Sequence, residues 1–204
     1  SGVFYDRFVK GLWVVAEGLV YPMFDRKKHV RKPENMVGDY YISIDYGTMN
    51  PTSMGLWLLQ PDGTAYRIRE SYYDGRKSGF PRTDEGHYQA LVKLAGNLEI
   101  QSVIIDPSAA SFIACIHSHG TFRVQKADNS VIAGIADTSS LLEAGKLFFA
   151  PECEDILREF SLYRWDEKKA DDSVMKENDH AMDDMRYFVR TIMWRSLQEV
   201  RSFG

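Results

Sequence analysis

Residues 40–48 read Tyr40-Tyr41-Ile42-Ser43-Ile44-Asp45-Tyr46-Gly47-Thr48, and this stretch decides the fold. Tyr and Ile suit a pleated surface, and the run is too short for an ordinary helix, so it reads as a central strand. Gly47 breaks it, which leaves the Asp45 carboxylate at the strand end, beside whatever binds at the sheet edge. Ser102-Val103-Ile104-Ile105-Asp106-Pro107 repeats the design: a buried-type strand that ends in an acid and is stopped by proline. A third acidic group, Asp179-His180-Ala181-Met182-Asp183-Asp184, opens the last long helical pattern. Three acids on three separate elements can converge on divalent cations.

Downstream of the first strand, residues 49–52 form a turn, 53–59 a second strand, 60–63 a strong turn and 64–73 a third strand. Hairpin chemistry joins the three into an antiparallel meander. Residues 76–82 read as a loop. Thr83 is placed to cap a helix that runs to Ala95, with Asp84 and Glu85 favouring its positive end. After the strand that ends at Asp106 come a helix over 111–119, a strand over 121–125 and a helix that ends before Gly145. A short strand at 147–149 and a helix over 152–162 follow. Residues 166–178 are polar enough for a loop, and the final helix runs from 179 to about 200. Upstream, residues 3–15 can hold a short helix, 18–22 read as extended, and the basic run 27–33 reads as a solvated linker. We place a boundary near residue 38, with a linker segment over 1–38 and a catalytic-type domain over 39–204. The sum is an α/β domain with a mixed sheet covered by helices on both faces.

At 204 residues, 44% hydrophobic and 26% charged, the chain is long enough for one domain with a real core. No apolar run reaches the length of a membrane span and no signal peptide is visible, so no membrane partner is expected. The net charge of −4 does not advertise nucleic acid. It does not argue against it, because an acidic metal centre offsets basic residues in the count. Cys115 and Cys153 lie far apart without metal-like spacing and read as reduced core thiols. His117 and His119 stand two apart on a helix and point away from each other, so they are not read as a zinc pair.

Magnesium and manganese take hard oxygen ligands, and water and substrate phosphate complete the shell. Two such ions about 4 Å apart can activate a water and stabilise the leaving oxygen of a phosphodiester. Asp45, Asp106 and an acid of the 179–184 group are the candidate ligands. A helical wheel leaves the third open: Asp183 lies opposite the Ala181-Met185-Phe188 stripe and Asp184 on its flank. His180 is a candidate for orienting a ligand, a water or the leaving group. Lys126, Lys168, Lys169 and Lys176 are candidates for phosphate contact. A phosphate loop of the actin-like ATPases, suggested by Asp45-Tyr46-Gly47-Thr48, is set aside because that fold needs a second nucleotide-binding half.

Several segments together resemble a known family. They are Phe8-Val9-Lys10-Gly11-Leu12-Trp13, Ala16-Glu17-Gly18-Leu19-Val20-Tyr21, Ile44-Asp45-Tyr46-Gly47, Ile105-Asp106-Pro107-Ser108, Asp128-Asn129-Ser130-Val131-Ile132-Ala133-Gly134-Ile135, Tyr163-Arg164-Trp165-Asp166 and Asn178-Asp179-His180-Ala181-Met182-Asp183-Asp184-Met185-Arg186-Tyr187. They are similar to the C-terminal nuclease domain of the terminase large subunits of tailed phages, with the segment that precedes it. The resemblance implies a ribonuclease H-like fold and a Mg2+- or Mn2+-dependent endonuclease, with two ions, that cuts concatemeric double-stranded DNA during genome packaging. It also implies the host-cell cytoplasm as the place of action, with the terminase ATPase domain, small subunit and portal as partners. It selects Asp183 as third ligand, with Asp184 and Asp179 as lesser candidates, and Asp184→Ala is then expected to keep substantial cutting. No G-x-x-x-x-G-K-[ST] loop is present, so the chain reads as the nuclease half alone. The rival readings are a junction resolvase or transposase-like nuclease on the same fold, and a docking module without catalysis.

Overall fold

The structure, a computed structural model, describes residues 18–166 and 173–194. Its centre is the meander expected from the sequence: β1 (Asp39–Asp45), β2 (Thr52–Leu59) and β3 (Ala65–Tyr73), each antiparallel to the next. On one side β4 (Ile100–Ile105) runs parallel to β1, and β5 (Val124–Lys126) parallel to β4. On the other, β6 (Leu147–Phe149) runs parallel to β3, which gives the order β5-β4-β1-β2-β3-β6. The described helices are α1 (Arg26–His29), α2 (Gly75–Ser78), α3 (Asp84–Ala95), α4 (Ala110–His119), α5 (Val131–Glu143), α6 (Glu154–Phe160) and α7 (His180–Phe188). None of them is long and apolar enough to cross a membrane.

The period-two alternation of the strands builds two cores. Ile42, Ile44, Met54, Leu56, Val103 and Ile105 face Tyr88 and Leu91 of α3 and Phe112 and Ile116 of α4. On the opposite face Trp57 and Ile104 meet the α5, α6 and α7 layer. Trp57 stacks on Phe188 with ring centroids 4.6 Å apart and planes 6° from parallel. Full burial of a side chain the size of Phe188 contributes roughly 3 kcal/mol, enough to pin α7 across β1, β2 and β4. Thr83 caps α3 as expected, its hydroxyl accepting from the Gly86 N–H at 3.1 Å.

Several local expectations need correction. The loop expected over 76–82 contains α2, because Asp74 Oδ1 accepts the N–H groups of Arg76 and Lys77 and so caps a turn. The strand expected at 121–125 starts only at Val124, where pairing with Val103 begins. The basic run is not wholly solvated: His29 is buried, with a ring nitrogen 3.0 Å from the Leu142 carbonyl oxygen, and Val30 bridges to Phe149. The final helix is not α throughout. After Phe188 it widens into a π turn over Val189–Met193, where Thr191 Oγ1 accepts the Asp128 N–H at 3.0 Å and Arg190 pairs with Asp128 and Asp137. Tertiary bonds at such a turn outweigh the regular α ladder. The helix expected at 3–15, and residues 195–200 of the last one, lie outside the described residues.

Candidate active site

β1 and β4 are parallel neighbours, with Ile44 opposite Ile105. The next residue on each chain is therefore an acid. Asp45 and Asp106 emerge side by side at the carboxyl ends of adjacent strands, their backbones about 5 Å apart. Pro107 and the Asp106–Ser108 turn stop β4 there: the Ser108 N–H donates to Asp106 Oδ1 at 2.8 Å. Asn129 Nδ2 donates to Asp106 Oδ2, also at 2.8 Å. Burial opposes ionisation of Asp106, but the bonds from Ser108 and Asn129 outweigh it and hold its carboxyl below the ordinary value.

Asp45 is treated differently. Burial pushes its carboxyl up to about 6, although a hydrogen bond from His180 pulls the other way and the nearby Asp183 adds to the rise. His180 Nδ1 lies 2.7 Å from Asp45 Oδ2, and the Tyr187 hydroxyl donates to Asp45 Oδ1 at 3.4 Å. Burial alone would lower the imidazole, but the bond and charge of Asp45 raise it. Asp45 and His180 thus form a hydrogen-bonded pair of partly buried groups.

The histidine and the third acid come from α7. Asn178, with φ of +54°, turns the chain into this helix. Asp179 gives the helix no side-chain cap. Its start is held instead by Glu159 of α6, whose Oε2 accepts the N–H groups of Ala181 at 2.7 Å and Met182 at 3.3 Å. A carboxylate at this end also meets the helix dipole favourably. One turn on, Asp183 is 7% exposed. Arg186 Nη2 stands 2.9 Å from its Oδ1 as an ion pair, yet off the angle of a hydrogen bond, and that oxygen has no hydrogen-bond partner. Lys176 Nζ lies 3.8 Å from Asp183 and 3.7 Å from Asp179.

Asp184 is committed elsewhere. It is fully buried and forms a two-point ion pair with Arg67 of β3, one arm at 3.0 Å, and it accepts from the hydroxyls of Ser43 and Ser53. The structure thus brings Asp45 and Asp106 together, sets His180 on Asp45, and places Asp183 on the helix above them. The donor oxygens are not crowded: among the described residues, no three acids bring theirs all within 4.8 Å of one another. Lys126, opposite Ile105 in the ladder, is exposed on the Asp106 side of the sheet. Lys168 and Lys169 lie outside the described residues.

Sequence reasoning missed Asn129, Tyr187 and Arg186, although two quoted motifs contain or adjoin them. Arg186 Nη1 donates to the Asn129 carbonyl oxygen at 2.6 Å, so α7 also fixes the loop that steadies Asp106. Also missed was a cavity of about 500 Å3 beside the acids, lined by Thr48, Asn50, Arg76, Ser108 and Ser111.

A mixed six-stranded sheet with helices on both faces and acids at the ends of its central parallel strands defines the ribonuclease H-like nuclease fold. No protein-family profile matches the sequence. The large terminase of the thermophilic bacteriophage D6E does match: 44% identity and a TM-score of 0.84, over 95% of this chain and 50% of that one. The P22 large terminase nuclease domain matches over 92% of this chain and 100% of its own, at 19% identity and a TM-score of 0.69. The large terminase nuclease of the thermophilic phage G20c, solved with bound magnesium, matches at 14% identity and a TM-score of 0.60, over 84% of this chain and 96% of its own. The terminase large subunit of Escherichia phage T5 is 22% identical over 87% of this chain and 43% of that protein. In sequence the chain is similar to part of a large terminase, and in fold to large-terminase nuclease domains; it spans about half the length of the full-length relatives it matches.

Proposed function

We propose that this chain is a divalent-metal-dependent DNA endonuclease, the cutting domain of a viral packaging machine. The observation that carries the reading is the pair of acids at the ends of adjacent parallel strands, with a third acid and a histidine placed above them by α7.

The donors fit a hard cation. All three acids offer oxygen, and the buried Asp183 Oδ1 lacks the hydrogen bond that a cation would replace. Burial also leaves Asp45 reluctant to ionise, a penalty that nearby positive charge removes. Asp45, Asp106 and Asp183 would hold magnesium or manganese, two ions in this reading. Bound there, the ions would activate water and neutralise charge on the phosphodiester. The chain's own groups do the rest. Asn129 and the Ser108 N–H keep Asp106 ionised and aimed. His180 Nδ1, 2.7 Å from Asp45 Oδ2, orients that carboxylate. The cavity beside the acids takes the DNA backbone, with Arg76 and the hydroxyls of Ser108 and Ser111 as its phosphate donors. Lys126, opposite Ile105 at the end of β5, and Lys176, beside Asp183, are further phosphate contacts in this reading. The ATPase half of the terminase, the small subunit and the portal are its partners in this reading, and the host-cell cytoplasm is where it acts.

A supercoiled-plasmid assay with manganese or magnesium and without ATP tests this. Nicked and linear products are expected, and Asp45→Asn and Asp106→Asn should each abolish them. A need for ATP, or cutting that survives both substitutions, would sink the proposal. Strong preference for branched over linear duplex would move the reading to a junction resolvase. A docking module would show no carboxylate-dependent uptake of manganese in calorimetry.

A further inference from the structure

We propose a second, softer metal site, apart from the acid centre, in which Cys115, His119 and Glu85 hold a zinc ion on the outer helical layer. Cys115 and His119 stand four apart on α4, so both project from one face of the helix, one turn from each other. Glu85 comes from the first turn of α3, which packs against α4. Among the described residues, these three are the one His/Cys/Asp/Glu group whose ligand atoms all lie within 4.8 Å of one another.

The separations suit a tetrahedral ion. His119 Nε2 is 2.8 Å from Glu85 Oε2, and Cys115 Sγ is 4.0 Å from the same oxygen. Zinc bonds of about 2.0 Å to nitrogen and oxygen and 2.3 Å to sulfur require edges of about 3.3 and 3.5 Å. Shifts of about half an ångström at partly exposed side chains close that gap. The His119 ring already has its orientation, stacked on Tyr88 with centroids 3.7 Å apart and planes 5° from parallel.

The donor set chooses the metal. A thiolate and an imidazole beside one carboxylate select zinc or cobalt(II) over the hard cations of the acid centre. Binding is not a redox step: the Cys115 thiol proton leaves to solvent, His119 coordinates through an unprotonated nitrogen, and a water takes the fourth position. The ion would clip the start of α3 to the end of α4, and α4 begins four residues after Asp106. His117 distracts from this site in the sequence, because the effective spacing is the Cys115-x-x-x-His119 one.

The test uses the reduced, metal-free full chain carrying Asp45→Asn and Asp106→Asn, so that the acid centre cannot contribute. One equivalent of cobalt(II) should produce a sulfur-to-cobalt charge-transfer band in the near ultraviolet, and zinc should displace it and shield Cys115 from alkylation. Cys115→Ser and His119→Gln should each abolish the band with circular dichroism unchanged. Glu85→Gln should weaken binding at least about ten-fold, since even outer-shell partners cost that much. No band in the folded protein, or a band that persists in His119→Gln, would overturn the proposal. Because the band is read with the acid centre disabled, its presence or absence is independent of whether the chain cuts DNA.

Discussion

Asp183 and Asp184 are consecutive residues of one helix, both buried, and their surroundings are opposite. Asp184 has its charge matched by Arg67 and its oxygens filled by Arg67, Ser43 and Ser53. Asp183 sits among other acids, with an arginine close by but one oxygen lacking a hydrogen bond. A satisfied buried charge joins elements together, and an unsatisfied one is held in place by the fold for a ligand to complete. The difference gives Asp184 an architectural role and, on the proposed function, leaves Asp183 as the ligand.

Asp184→Ala breaks the comparison hardest. It takes from the buried Arg67 its two-point partner and leaves it only the Glu70 carboxylate, 3.3 Å from Nε, which costs up to about 3–5 kcal/mol of a total stability of roughly 5–15 kcal/mol. The sequence alone led only to the expectation that this substitution keeps substantial cutting. The burial of Asp184 adds a cost in stability, and a denaturant melt should show a large fall in midpoint; an unchanged midpoint would show that Arg67 is not anchored by this pair. Next in size is Asp45→Asn. Cutting should fall at least about 10²-fold, roughly 3 kcal/mol in barrier, while the melt holds, because burial already disfavours the carboxylate. Wild-type rates would remove Asp45 from the site.

A smaller effect tests the support beneath α7. Burial pushes Glu159 from its ordinary 4.5 to about 7, against bonds from Tyr72 and the Ala181 N–H. A carboxyl with a raised folded value stabilises the fold when protonated. That contribution is complete below about pH 4.5 and is lost as pH rises through about 7. Glu159→Gln should therefore gain on the parent by up to about 3 kcal/mol between pH 5 and 8, as read from chemical denaturation at each pH. Parallel curves would show that Glu159 titrates normally. Lys176→Ala is the mildest: exposed and 3.7–3.8 Å from Asp179 and Asp183, it should change stability by under about 0.5 kcal/mol. Its effect should appear instead as a shallower salt dependence of DNA binding.

The meander and the two strand-end acids were legible because their signals are local: alternation, turn residues and a breaker directly after each acid. The Asp184 anchor was not, since Arg67 lies 117 residues away along the chain and a wheel shows only the helix that carries one partner. The wheel also presumed 3.6 residues per turn throughout, and the π turn at Val189–Met193 shifts everything after it. Glu159 looked like any acid of an amphipathic helix. Its role is to accept N–H groups from α7, which no pattern within α6 reveals. His29 was hidden inside a run of lysines and arginines, where composition argued for solvent.

One glycine makes room for this network. A Cβ at Gly55 would collide with Arg67 Nη1 and crowd Asp184, so the guanidinium lies flat on β2 only because position 55 has no side chain. Gly55, Arg67 and Asp184 therefore form a locked combination. Changing one of them alone would leave either a steric clash or a buried charge short of its main partner. The three are therefore expected to change together or stay put, the smallest residue setting the terms for a buried ion pair.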